Sequence, residues 1–312
     1  MHTIGKINYH WGFASLVLFL TPLRFAKCLF NSCLKSVPAV CTTSFKTVEV
    51  LVTCLHSNVS INDRRQALFI LNNLCIPIEN KAAIIFGEPF EVLMDALLAI
   101  VRSRSSESYL ALVTLLNLSY IQDDHGKVAI FNFVPKLNTG GKSNDAASQY
   151  GAQLPIDNPL STIRTLESVL QDYIPYVVRR RKVNSVELQC CRWSLNVIRN
   201  LISTIPAFSI AVGQHTTIIA LSVQVLAKSD ATNLGTWTCD SIEDACLMIL
   251  IHVCRYDDCI QLLKQNVVAM DELLAICEEI KNTSPGIHQL RATALLDRLE
   301  DSNCSQSIGY SV

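Results

Sequence analysis

A short helical pattern recurs five times along the chain and constrains the fold more than any other feature. In Gln66 to Cys75, the residues Ala67, Ile70, Leu71 and Leu74 fall at i, i+3, i+4 and i+7, which is one face of an α-helix. In Leu110 to Ser119 the same slots hold Ala111, Thr114, Leu115 and Leu118. Trp193 to Ile202 supplies Ser194, Val197, Ile198 and Leu201, and Ala245 to Cys254 supplies Cys246, Ile249, Leu250 and Val253. A weaker fifth copy holds Ala292, Leu295, Leu296 and Leu299. The first slot is always small, as close approach of two helices requires. The residue before the last slot is Asn73, Asn117, Asn200, His252 and Arg298 in turn.

The flanks repeat as well. Lys81-Ala-Ala-Ile84 follows the first copy and Lys127-Val-Ala-Ile130 the second, each opening a short helix. A longer helix precedes each copy, and Glu49-Val50-Leu51 recurs as Glu91-Val92-Leu93, a period in the low forties. Residues 136–160 are polar, Gly-containing and aperiodic, which predicts a long loop inserted in the third unit. Helix resumes near Leu160 and runs to about Val178, and a smaller insertion spans Ser229 to Trp237. The chain thus divides into a leader or helical cap over 1–44, a repeat domain of about five units over 45–300, and a tail over 301–312. No unit of this kind can bury its own apolar face, so neighbours must stack.

A three-helix unit whose last helix ends in Asn-Leu resembles the armadillo repeat, most closely over Arg65 to Val101. HEAT repeats are the neighbouring class. The resemblance implies an all-α, right-handed α-solenoid of armadillo-like or HEAT-like repeats. It also implies that the third helices line a concave groove whose Asn side chains clamp an extended peptide. An amide carries both a donor and an acceptor, so it can match the N–H and C=O of one peptide unit. The alternative for Asn73, Asn117 and Asn200 is that they cap a helix or tie down a neighbouring loop, as short polar side chains commonly do. His252 and Arg298 complete the row of groove candidates. Phe69, Val113 and Asn196 stand where some members of the family carry a Trp one turn before the Asn. Gln66 and Trp193 stand two turns before, and an aromatic there serves as core or as a binding anchor.

Composition removes several function classes. A formal net charge of −1 offers no global basic field, so nucleic acid is not an expected partner. The 11 Gly and 10 Pro in 312 residues are about half the usual share, too few for the turns of a many-stranded β fold. The 13 cysteines include no Cys-x-x-Cys pair, and no metal or cofactor is expected. Cys54, Cys75, Cys190, Cys246, Cys254 and Cys277 lie in apolar helical stretches, where a reduced thiol packs as a small hydrophobe. That pattern points to a cytoplasmic or nuclear protein. Trp11 to Leu20 is an apolar run shorter than a membrane span. Anchoring through residues 11–30 is the minority alternative.

No catalytic motif emerges. Gly141-Lys142-Ser143 lacks the earlier Gly of a phosphate loop, because Lys136 occupies that place. Asp123, Asp124 and His125 fall where polar turn residues are expected after the second copy. Arg179, Arg180, Arg181 and Lys182 form the one dense basic run, a solvated turn or a contact for an acidic partner. The expected function is a non-enzymatic scaffold or adaptor that binds a protein or extended peptide, with no small-molecule substrate. The rivals are a structural subunit of a permanent assembly and a membrane-associated protein.

Overall fold

The computed structural model describes residues 45–56, 58–134, 160–179, 185–228, 241–265, 267–283 and 286–307. The leader over 1–44 with Cys28, Cys33 and Cys41, the insertion up to residue 159, Arg180 to Lys182, the Ser229 to Trp237 insertion and residues 308–312 lie outside them. Every regular element among the described residues is a helix, so the class is all-α.

The helices come in a repeating order. A pair opens the series, α1 (Phe45–Thr53) and α2 (Ile61–Leu74). Four triplets follow: α3 (Ile78–Ile85), α4 (Pro89–Arg102), α5 (Ser108–Ser119); then α6 (Asp124–Phe131), α7 (Ser161–Arg179), α8 (Val186–Ile202). The last two are α9 (Pro206–His215), α10 (Ile218–Ala227), α11 (Ile242–Val253), and α12 (Asp257–Gln265), α13 (Val267–Thr283), α14 (Ile287–Ser307). The third helix of every unit is the one that carries the recurrent pattern. Serine hydroxyls begin three of these third helices by accepting a backbone N–H: Ser60 from Asp63, Ser185 from Leu188 and Ser241 from Asp244. Such caps satisfy donors that the first helical turn leaves open.

Every slot residue in all five copies is buried, Leu74 at 7% exposure being the least so. Each fully buried Leu, Ile or Val contributes about 1.5–3 kcal/mol, which is why the slots hold their pattern. Thr114 fits an apolar slot because its hydroxyl donates back to the Leu110 carbonyl at 3.1 Å. The flanking motif repeats in detail too: Lys81 and Lys127 are both buried, and burial lowers both pKa values.

Packing divides the chain within α4, into one unit ending at Ala96 and another beginning at Leu97. In the first, α2 packs on α1. In the second, the third helices touch in succession, α5 with α8, α8 with α11 and α11 with α14. The middle helices do likewise, α7 with α10 and α10 with α13. Among the first helices, Phe131 of α6 stacks on Phe208 of α9 with ring centroids 3.7 Å apart. Helix α9 then meets α12 so closely that a methyl on Gly213 would lie 2.5 Å from Cys259 Sγ. Each helix from α5 to α14 therefore rests on a counterpart in a neighbouring triplet.

Candidate functional site

The residue before the last slot lies beside the buried stripe, so its side chain emerges at the edge of the core. Asn73 is half-buried on α2. On α5 and α8, Asn117 and Asn200 are half-buried as well. Asn200 is engaged: its Nδ2 donates to Ser119 Oγ at 3.2 Å, linking α8 to the end of α5. That contact is the loop-tying role of a short amide, leaving the Asn200 carbonyl oxygen to be considered for a ligand. His252 is 7% exposed on α11, and its Nδ1 has no hydrogen-bond partner among the described residues. Arg298 donates to the Arg255 carbonyl at 3.2 Å and to Asp257 Oδ1 at 2.5 Å, tying α14 to the α11–α12 turn.

The residues further up the third helices diverge. Phe69 is 45% exposed and Gln66 is exposed on α2. Trp193 is half-buried, with the Arg192 guanidinium 4.6 Å from its ring centroid, a cation–π pair. Asn196 is fully buried and donates from Nδ2 to the Arg192 carbonyl at 2.9 Å. Arg179 is exposed at the end of α7.

The polar group near the second copy has a structural task. Asp123 caps α6 by accepting the Gly126 N–H at 3.0 Å, and His125 is exposed. Lys127 Nζ donates to Thr204 Oγ1 at 2.9 Å, and Thr204 Oγ1 lies 3.3 Å from Asp124 Oδ1. These bonds fasten α6 to the α8–α9 turn.

The densest charge cluster among the described residues is one that pattern reading does not reveal. Asp244, fully buried at the start of α11, receives Arg199 of α8 at 3.4 Å and Arg291 of α14, and His288 Nδ1 of α14 lies 3.3 Å away without a hydrogen bond. Burial pushes the Asp244 carboxyl up, while Arg291, His288 and Arg199 pull it down. One carboxylate thus joins three successive third helices. The available signal was an acid inside the otherwise apolar run Ala245 to Val253 and its immediate approach, Ile242-Glu243-Asp244. Such an acid needs a partner somewhere, although the sequence does not say which.

The cysteines named from the sequence are all buried free thiols, together with Cys191 and Cys259. Burial raises Cys75, Cys190, Cys254 and Cys277 to about 12, which removes the thiolate needed for nucleophilic chemistry. Among the described residues no group of three His, Cys, Asp or Glu side chains could hold a metal ion. No single helix among them is long and apolar enough to cross a membrane. No protein-family model matches the chain, and no curated protein is significantly similar to it.

Proposed function

We propose that the chain is a right-handed, armadillo-like α-solenoid working as a non-enzymatic scaffold or adaptor in the cytoplasm or nucleus. Its partner is a protein segment, held in extended form along the third helices, with no nucleic acid or small-molecule substrate involved. The observation that carries this reading is the row of residues at one position of successive third helices in the Leu97–Val312 unit. Asn117, Asn200, His252 and Arg298 are polar or charged, while the four slots around each are buried and mostly apolar.

The test is selection of short random peptides on the full chain, followed by titration against Asn117→Ala and Asn200→Ala. Peptide affinity should fall by up to about tenfold per amide, since one hydrogen bond contributes about 0.5–1.5 kcal/mol. Selected peptides that bind both variants as tightly as the parent chain would end the groove reading. A structural-subunit role is the second reading, and exposed apolar residues favour it: Ile76, Phe86 and Val92 are 57%, 57% and 53% exposed. Such residues are expected to be covered in a permanent assembly. An obligate complex that survives loss of both amides would select that reading instead.

A further inference from the structure

In the second packing unit, α8 and α14 each turn one stripe toward the third helix before them. Gln66, Phe69 and Asn73 mark the same stripe on α2. At the Asn73 position, Asn200 of α8 reaches Ser119 on α5, and Arg298 of α14 reaches the Arg255 carbonyl and Asp257 just past α11. At the Gln66 position, Arg291 of α14 reaches Asp244 on α11. At the Phe69 position between them, Asn196 of α8 is fully buried and Met248 of α11 half-buried, and only the small Ala294 of the weak last copy is exposed.

Among the described residues no third helix precedes α2. Gln66 is exposed there, and Phe69 is 45% exposed at a position that α8 buries completely. A stacked repeat needs a neighbour on that side, and covering a phenylalanine is favourable. The leader holds a segment built for the place. In Phe25 to Leu34, the residues Ala26, Leu29, Phe30 and Cys33 fall at i, i+3, i+4 and i+7. The first slot is again small, Ser32 stands at the polar position before the last slot, and Asn31 matches Asn72. A cysteine in the last slot packs as a small hydrophobe.

The register agrees at two points. Ala26 precedes Ala67 by 41 residues, in line with the period of the later copies. Cys33 precedes the Glu49-Val50-Leu51 motif by 16 residues, and Leu74 precedes the Glu91-Val92-Leu93 motif by 17. Terminal repeats are commonly atypical, which accounts for the degenerate last slots of this copy.

We propose that residues 25–34 form the third helix of a leading repeat and dock on the Gln66, Phe69 and Asn73 stripe of α2. The occupant is a segment of the same chain because α1 begins only 11 residues after Leu34. A tether that short presents the segment at about millimolar effective concentration, which a second copy or a separate protein must outcompete. The docking takes Phe69 and Gln66 out of the set of ligand contacts. It leaves untouched the peptide reading, which stands on the second unit.

Photo-crosslinking of the full chain tests the docking, with p-benzoylphenylalanine in place of Phe69 and isotope-labelled and unlabelled chains mixed. The main crosslink should map within residues 25–34 of the same molecule. Crosslinks between labelled and unlabelled chains would assign the stripe to a second copy and overturn the proposal. Crosslinks confined to other parts of the same chain, or none, would overturn it as well. Hydrogen exchange gives an independent reading. Ala26→Glu places a charge in the small slot, so amides of residues 61–74 should exchange at least about tenfold faster while those of α11 stay unchanged. Ala26→Ser, which keeps the slot small as Ser194 does, should exchange like the parent. Equal exchange in the Ala26→Glu variant and the parent would sink the docking. Where that variant loosens the whole chain, the crosslink map decides alone.

Discussion

At one and the same helical position, α5 and α8 carry Asn117 and Asn200, whereas α11 and α14 carry His252 and Arg298. The four slots around that position are buried alike in both pairs. Packing therefore dictates the slots and leaves their neighbour free to change. In the first pair it is a neutral amide, half-buried, with Asn200 bonded to Ser119. In the second it is His252, buried with an Nδ1 that makes no hydrogen bond among the described residues, and Arg298, which ties α14 to Asp257 and the Arg255 carbonyl.

The sharpest way to test the second pair's surroundings is to remove Asp244, the buried acid at the start of α11. Asp244→Ala should remove the buried carboxylate that Arg199 and Arg291 share, costing about 3 kcal/mol or more in a chemical denaturation experiment. A loss under about 1 kcal/mol would show that the cluster is not a structural hub. Asn117→Ala in the other pair strands no charge and should fall well below that value.

Acidification probes the same end more gently. The His252 imidazole stays neutral in the folded chain down to about 4, while in the unfolded chain it protonates near its ordinary 6.5. As pH falls from 6.5 to 4 the unfolded state takes up a proton that the folded state refuses, so stability declines across that window, by on the order of 3 kcal/mol. Below the folded value the decline from this group stops. The carboxyl of Asp244, held above its usual value by burial, works with opposite sign at the acid edge, gaining a proton first in the folded state. His252→Gln should flatten the decline relative to the parent chain. Identical pH profiles for the two proteins, read from urea midpoints, would contradict the assignment.

The smallest effect belongs to the amide end. Asn200→Ala removes one side-chain hydrogen bond to Ser119 and should lower stability by about 1 kcal/mol. A thermal melt beside a peptide titration separates the two roles of the amide. Unchanged affinity of the folded fraction, together with the lower melting temperature, would leave Asn200 a tie between helices and nothing more.

Much of the architecture was legible because its cause is local. The spacing of Ala67, Ile70, Leu71 and Leu74, and of the corresponding residues in four later copies, follows the 3.6-residue turn of a single helix. Burial at the slots follows from it, since an apolar stripe must face a neighbour. The restart of helix at Ser161–Arg179, anticipated near Leu160 to Val178, follows the same periodicity. The candidate row was legible for the same reason: one residue before the last slot is a place defined by the helix alone.

What the row can do was decided by tertiary contacts. Glu167 of α7 is nearly buried and accepts the Thr217 N–H at 2.6 Å and its hydroxyl at 2.8 Å, capping α10 from another helix. Arg104, in the left-handed region at φ 53°, reaches Asp172 at 2.9 Å and Ser168 at 2.8 Å on α7. Asp244 finds Arg199 and Arg291 on two different helices. None of these partners stands at a helical spacing from the other in the chain. They meet because the crossing of packed helices brings their long side chains within reach, and that depends on how whole faces interlock. Sequence by itself determined the helices, their order, their buried faces and the place of the polar row, because each is a property of one turn of backbone. Tertiary structure alone decided which charges converge on Asp244, because electrostatic neighbourhood is set by distance in space.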